Sequence, residues 1–568
     1  MKTKAKNATA PVAIEIGEQL PSSSLSNEER EVAKGSFWGL AGSMVLKLVS
    51  FVYAVILARS FNVDDIGVFY LALSIIYVLS IFSDLGMNST FARYVPFFIG
   101  RGEKQKTYTL LRAAYTFSGS LSLFYGIALF LSSGLLANIF KSPALGEMMQ
   151  IMSIFALLNT FFVLNTAFLG GLKKIKENVI LNNFQNAIKL VLTVVLYYFM
   201  GPAAVVIPLA FVLSYVFFAL LSFYYVRRSV LEIETGFSAP SMREQADIIK
   251  ETMAFGITLS IIATIWGIFN YTDRLMMGYM LPSDTAASTI GIYSMAVSLG
   301  TIVLIFPSSI IAIFMPVITE LYGKNKRAEM LSISKTALRW CIFSMVPITI
   351  TLITFPGELL QTLYGTAYLP GATVLVVFAV GLFLRYLSFI HDAILAAMKT
   401  IRVNLYISVF SVVLNIVLNY FWIVPYGMNG AIYATSISLL AVTVLLFYYT
   451  KKVAGFGFPK EAYGPLFCGA LALVAMFAVR GPALLVVSAI PQIPLFGQPI
   501  LDLVAQKLVK LAVLGLLFCL SCIFYFVILS TLGSFSKEDI SVASGALRKA
   551  RVPDGMIFLA ERAMGNRE

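Results

Sequence analysis

Apolar residues run along this chain in blocks of twenty or more, separated by short polar and basic stretches, from Ser36 to Leu532. A helix rises about 1.5 Å per residue, so roughly twenty such residues cross the ~30 Å hydrocarbon core of a bilayer. The pattern predicts fourteen spans, at 36–58, 66–85, 113–136, 147–169, 178–200, 203–226, 252–278, 290–319, 336–356, 372–395, 404–424, 430–450, 464–487 and 508–532. Interior prolines such as Pro208, Pro307 and Pro347 predict kinks, which membrane helices tolerate when neighbours take up the freed carbonyls. The predicted fold class is an all-α polytopic membrane protein.

The pattern also repeats. Ile66-Gly67-Val68-Phe69-Tyr70 returns as Ile290-Gly291-Ile292-Tyr293-Ser294, and Pro96 with the basic stretch Arg101 to Lys106 returns as Pro316 with Lys324 to Arg327. Leu169 to Asn178 (LGGLKKIKEN) matches Leu395 to Asn404 (LAAMKTIRVN), and all three offsets lie between 220 and 226 residues. Six spans per half is an even number, so both halves enter the membrane from the same side. They are expected to be parallel repeats about an axis along the membrane normal, with a central cavity between two bundles. The expected organisation is a disordered tail (1–35), a first six-helix bundle (36–226), a linker (227–251), a second bundle (252–450), two additional helices (451–532) and a second tail (533–568).

Composition sharpens the class. Hydrophobic residues make up 59% of the chain and charged residues 12%, with a mean hydropathy of +0.85, against about 25% charged in an average soluble chain. A net charge of +13 would suggest nucleic acid in a soluble protein, but placement matters more here. Most of the 42 Lys and Arg fall on one side of the expected spans, and the other side holds Arg59, Lys141, Arg480, Lys507 and Lys510. The positive-inside rule then puts both termini in the cytoplasm, as expected of a multi-pass plasma-membrane protein, and leaves no case for nucleic acid. No stretch before the first span reads as a secretory signal. The four cysteines lie in apolar spans, so no disulfide framework is expected, and Cys519-x-x-Cys522 reads as helix packing.

Ionisable groups at membrane depth carry the functional reading. Lys47 stands about eleven residues from either end of its span, too deep to snorkel, and Lys189 and Arg385 are similarly central. Asp273 and Arg274 are adjacent in the seventh span; neighbours on a helix diverge by about 100°, so they cannot simply neutralise one another. Asp84 and Asp392 lie nearer the cytoplasmic ends and Asp273 nearer the outer one. A positive midplane suits a phosphate-bearing anion, whereas an exporter of cations would place carboxylates there. The structural alternative is that each cation pairs with an acid to fasten two helices. Asn404, Ser408, Ser411, Asn415 and Asn419 recur at helical spacing, as do Asn182, Asn186 and Lys189. Such stripes line a wet cavity or hydrogen-bond between helices. Counted from Asn178 and Asn404, Lys189 matches Asn415 and Asn159 matches Arg385, so the cations alternate between the halves. His391 beside Asp392 reads as a proton-coupling pair or a satisfied interfacial pair. There is no metal-ligand cluster, Walker loop or cofactor motif in the sequence, so transport energy would come from a gradient, the membrane potential or a partner.

Several stretches carry a resemblance: LARSFNVDDIGVFYLA from Leu57, YTDRLMMGYM from Tyr271 with GIYSMAVSLG from Gly291, FPGELLQTLYGTAYLPGA from Phe355 and PYGMNGAIYATSIS from Pro425. In that order they resemble polysaccharide-biosynthesis flippases of the multidrug/oligosaccharidyl-lipid/polysaccharide exporter superfamily, over roughly Lys34 to Tyr449. The resemblance implies alternating access that moves an isoprenoid-pyrophosphate-linked oligosaccharide from the inner to the outer leaflet, with polysaccharide-assembly proteins as potential partners. Lys47, Lys189, Arg274 and Arg385 would hold the pyrophosphate, and Asn182, Asn186, Asn415 and Asn419 would line the sugar-sized cavity. Asp273, His391 and Asp392 would couple ions or pair charges, and the last two spans would shelter the lipid chain. The alternative within transport is an ion-coupled drug or metabolite antiporter of the same superfamily. An enzyme is disfavoured, because acid/base groups near a sizeable loop are lacking.

Overall fold

The computed structural model describes residues 45–80, 85–233, 236–398, 400–489 and 499–536, with isolated positions beyond. Most of both expected tails, Asp84 and most of the 490–507 connection lie outside the described residues. Over the described residues, the fourteen expected spans fall on helix, the first of them from residue 45. In chain order the first half is α1 (45–60), α2 (Val63–Leu79), α3 (Met87–Gly100), α4 (Lys104–Leu131), α5 (Ser133–Ile139), α6 (Pro143–Gly171), α7 (Ile175–Met200) and α8 (Val206–Ile233). The second half is α9 (Met242–Met280), α10 (Ser283–Gly300), α11 (Ile305–Gly323), α12 (Arg327–Thr354), α13 (Pro356–Leu363), α14 (Ala372–Leu387), α15 (Phe389–Ala397), α16 (Ile401–Tyr426) and α17 (Met428–Ala454). Then come α18 (Tyr463–Ala489) and α19 (Pro499–Thr531). Among the described residues, 11 helices are long and apolar enough to cross a membrane; α1, α2 and α9 cover the other three expected spans.

Three expected boundaries move, each for a local reason. The second span does not end at 85. Helix resumes as α3 after Leu85 and Gly86, which carry φ of 41° and 87°, a turn toward left-handed backbone that glycine adopts at little cost. Asn88, Arg93 and Pro96 lower the hydropathy of α3 and hide it from an apolar-run reading. The eighth span likewise divides at a 3-10 turn, Thr301–Leu304, between α10 and α11. Finally, α9 starts at Met242, inside the expected linker, because Ser241 and Glu244 form a capping box. Ser241 Oγ accepts from the Glu244 amide at 3.3 Å, and Glu244 Oε2 accepts from the Ser241 amide at 2.6 Å.

The two halves meet along α2 and α3 on one side and α9 and α10 on the other. Near the α1–α2 and α9–α10 turns, here called the far face, the contact is reciprocal. A Cβ on Gly67 would collide with the Ala287 carbonyl, and one on Gly291 with the Val63 carbonyl. Both contacts join residues of the repeated Ile-Gly motif and its preceding turn, under the same offset that relates Gly67 to Gly291. Toward the basic face, Gly86 and Gly256 approach backbone to backbone. Small residues let membrane helices touch this closely, where dispersion is the main attraction. Against α12, α18 and α19 pack as an addition to the second half. The buried Arg339 side chain of α12 pairs with the buried Asp539 carboxylate and donates to the Ser534 carbonyl at 2.8 Å, tying the chain beyond α19 to the bundle.

Overpacking a close helix contact costs about 1–3 kcal/mol. Gly67→Leu is therefore expected to lower the thermal midpoint of the purified protein by several degrees. Gly134→Leu, at a glycine with open space around it, should leave it nearly unchanged. Equal midpoints for the two variants would show that the α2–α10 crossing is not a tight contact.

Candidate functional site

A cavity of about 510 Å³ opens inside the second half, walled by α9, α10, α14, α15, α16, α17 and the 3-10 turn. Its polar lining comes from helical spacing. Asn270, Asp273 and Arg274 stand at i, i+3 and i+4 on α9, and Asn404 and Ser408 at i and i+4 on α16, so each set shares a face. The volume lies within the ~300–1,000 Å³ range of small-molecule sites, room for a head group but not a long glycan.

Asp273 organises one wall. Its carboxylate is 5% exposed and accepts from four neutral donors on three other helices. Oδ2 accepts from the Tyr293 hydroxyl of α10 and from Thr435 Oγ1 of α17 at 2.6 Å. Oδ1 accepts from Nδ2 of Asn419 at 2.8 Å and of Asn415 at 3.3 Å, both on α16. Hydrogen bonds to an ionised acceptor are worth roughly 1.5–3 kcal/mol each, which is how a carboxylate persists at this depth without a salt-bridged cation. Among the described residues, Asp273 makes no ion pair within 4.0 Å.

Arg274 lines the same cavity but takes other partners. Its Nε donates to Ser294 Oγ at 2.8 Å and its Nη1 to the Asn270 carbonyl at 3.0 Å, with the guanidinium carbon 5.6 Å from the Tyr70 ring centre. Among the described residues it meets no carboxylate at salt-bridge distance. Arg385 is different. Its Nη2 donates to Asp392 Oδ2 at 2.6 Å and its Nη1 to Ser388 Oγ at 3.0 Å, bridging the break between α14 and α15, while its guanidinium lies 5.3 Å from the Trp266 ring centre. The lining thus holds two guanidiniums and two carboxylates, with one cation salt-bridged and one not.

The four expected cations do not converge. Only Arg274 and Arg385 line this cavity. Lys47 of α1 donates to the Leu304 carbonyl at 2.8 Å and to Ser308 Oγ at 2.7 Å, so it touches the wall from behind. Lys189 sits within the first half, donating to Asn186 Oδ1 at 2.9 Å, with its ammonium 4.4 Å from the Tyr53 ring centre. Among the described residues neither lysine meets an acid within 4.0 Å, whereas Arg385 does. Asn182 and Asn186 donate to the Asn178 and Asn182 carbonyls one turn back, at 2.9 and 3.2 Å, and do not line this cavity.

Asn415 and Asn419, expected as sugar-facing amides, are fully buried behind the wall, and their amide protons go to Asp273. The polar stripe of α16 therefore serves two ends: Asn404 and Ser408 face the cavity while Asn415 and Asn419 hold the carboxylate. His391 and Asp392 do not act as a pair. The His391 ring is buried between Phe447 and Phe456, with centroids at 4.5 and 5.2 Å, while Asp392 turns to Arg385. Sequence reasoning passed over Tyr293 and Thr435 as Asp273 donors, although both lie in the repeated or family-like stretches; a lone hydroxyl on an apolar helix carries no separate signal.

Three comparisons bear on this architecture. A family model described as polysaccharide biosynthesis protein matches residues 56–373. A protein named as the low-salt glycan biosynthesis flippase Agl15 of Haloferax volcanii is 23% identical over 234 residues, 41% of this chain and 48% of the relative. A protein of Shigella flexneri named as an O-antigen transporter is 22% identical over 428 residues, 74% of this chain and 98% of the relative. A solved structure titled lipid II flippase MurJ, inward closed conformation, superposes with a TM-score of 0.63 at 14% identity, covering 85% of this chain and 98% of that one. That likeness establishes a shared fold.

Removing the acceptor from four buried donors costs about 1–3 kcal/mol for each left unmade. Asp273→Ala is accordingly expected to lower the thermal midpoint well beyond the loss for Arg274→Ala, measured by scanning fluorimetry of the purified protein. Adding Thr435→Val to Asp273→Ala should restore part of the loss.

Proposed function

On the premise that this chain belongs to the polysaccharide biosynthesis protein family, we propose that it is a flippase for an anionic isoprenoid-pyrophosphate-linked oligosaccharide. The basic face is then cytoplasmic, with both termini on that side of the plasma membrane, and transport runs from the inner to the outer leaflet. The observation that carries this reading is the Arg274 guanidinium. It lines a membrane-depth cavity, is held by a hydroxyl and a carbonyl, and is left without a salt-bridged carboxylate because Asp273 is occupied by four neutral donors. A guanidinium so held can grip two phosphate oxygens. Fixed dipoles and cations replace the hydration that a pyrophosphate would lose in bare hydrocarbon. Asn404, Ser408 and Asn270 offer the amide and hydroxyl groups that a first sugar needs.

The reacting parts are conformational, and no bond is made or broken. The two halves rock about the α2–α10 and α3–α9 crossings, opening the site to each leaflet in turn. Lys47 couples the halves directly, since it reaches from α1 to the turn that divides α10 from α11. Lys189, Asn182 and Asn186 belong to the first half's face of the path, met by the substrate in a more open state. Of the groups read as coupling or pairing charge, Asp273 is the one whose carboxylate ties three other helices to α9 at once. Asp392 serves Arg385, and His391 serves packing. The relatives carry the names of transporters and flippases, which accords with a non-enzymatic role. The reading also admits assembly proteins that take up the delivered oligosaccharide.

One observation favours the antiporter alternative: two carboxylates, Asp273 and Asp392, stand in the same cavity wall. Vesicles separate the two readings. Reconstituted protein should carry a pyrophosphate-linked oligosaccharide to the opposite leaflet, with Arg274→Ala slowing it about tenfold or more at unchanged expression, the factor for one charged hydrogen bond. Efflux of a cationic dye that survives Arg274→Ala, with no movement of the lipid-linked sugar, would establish the antiporter instead.

A further inference from the structure

A second pocket, of about 470 Å³, lies on the far face and shares no lining residue with the cavity in the second half. Three parts of the chain build it: the end of α1 with the turn into α2, the end of α13 with the loop to α14, and Lys510 of α19. Among the described residues its lining includes Arg59 and Lys510 and no carboxylate. Asp64 and Asp65 come next on α2 but are not in the wall. The described lining is therefore positive, unlike that of the cavity at α9.

The Arg59 guanidinium is pre-positioned. Nε donates to the Leu363 carbonyl at 2.9 Å and Nη2 to the Gln361 carbonyl at 2.9 Å and to the Thr362 carbonyl, at the carbonyl end of α13. A cation is favoured at a helix C-terminus, and three acceptors hold the side chain in one rotamer. Its remaining nitrogen, Nη1, looks past Gly365; a Cβ there would stand 3.6 Å away. Gly365 has a φ of 119°, a conformation that L side chains rarely adopt, so that side of the guanidinium stays open. Two further wall residues, Tyr364 and Tyr368, are buried to 2% and 1% exposure, and among the described residues neither hydroxyl has a hydrogen-bond partner. Buried hydroxyls without partners are uncommon, because each costs about 1–3 kcal/mol. Unpartnered hydroxyls beside two cations fit the chemistry of an anion.

We infer that this pocket binds the phosphoryl group of the lipid product after it has crossed, through Arg59 Nη1, the Lys510 ammonium and the tyrosine hydroxyls. The inference rests on the flippase reading for the source of the phosphate; the anion chemistry stands without it. Because Arg59 belongs to the first half and the α13–α14 loop to the second, the ligand would sit on the seam between the halves. An anion on Arg59 Nη1 leaves the three carbonyl bonds of Nε and Nη2 in place, so one guanidinium would join the ligand to the end of α13. Lys510 brings in α19, which lies outside the repeat.

The test uses the full chain in nanodiscs and measures binding of inorganic pyrophosphate and of farnesyl pyrophosphate by calorimetry, with farnesol as the uncharged control. Both pyrophosphates should bind. Lys510→Gln should weaken each about tenfold, the value of one charged hydrogen bond, while Lys141→Gln, at a cation that lines neither pocket, should leave this binding step in place. Arg59→Gln should do the same as Lys510→Gln; since Arg59 also holds the α13–α14 loop, Lys510 is the variant that decides. Affinities unchanged in Lys510→Gln for both probes overturn the pocket, whatever the vesicle assay shows. Weakening for inorganic pyrophosphate alone overturns the lipid source and leaves a soluble-phosphate site. Lys510-dependent binding of both probes, with no translocation of lipid-linked sugar in vesicles, retains the pocket and removes the flippase reading.

Discussion

A carboxylate at membrane depth must be neutralised, paired with a cation or surrounded by donors, and Asp273 takes the third course. Its four donors come from α10, α16 and α17, so satisfying one charge on α9 fixes the mutual placement of four helices. The same arrangement sets the electrostatics of the cavity. With Asp273 occupied by neutral groups and Asp392 taken by Arg385, Arg274 keeps a full charge toward the open space. A lysine or arginine contributed by any of those helices would have cancelled the charge and the site together.

The second constraint is the reciprocal glycine contact. Gly67 against Ala287 and Gly291 against Val63 are the same contact made twice, as two related bundles meeting about an axis between them require. The seam combines backbone approach, apolar packing that includes Tyr77 stacked on Tyr271, and a few polar links, Lys47 to Leu304 and Arg59 to the end of α13.

Two breaks in helices lie at the cavity wall. The turn at Thr301–Leu304 lines the cavity and also receives Lys47. The break at Ser388 is bridged by Arg385 and Asp392, and Ser388 Oγ donates to Thr443 Oγ1 of α17 at 3.3 Å. Irregular backbone in a membrane survives only where protein or a wet cavity satisfies it. Its location at the cavity wall follows from that rule and gives a charge in the site a mechanical hold on the helix that carries it.

Much of this was legible in the residues themselves. Apolar run length determined the helical class and placed the fourteen expected spans over the described residues, because crossing hydrocarbon leaves the backbone few alternatives. The repeated Ile-Gly motif is met again in the reciprocal contacts of Gly67 and Gly291. The α16 stripe was visible as one face, but whether Asn415 and Asn419 turn to substrate or to a neighbour depends on what lies opposite. That is a fact about α9, 142 and 146 residues away in sequence. For the same reason the lysines could be placed at depth but not assigned a direction: Lys47 and Lys189 are central in their helices yet end on a carbonyl and an aromatic ring. Periodicity reports a residue's own helix face, and only tertiary packing decides which partner that face meets and therefore which charges remain for a ligand.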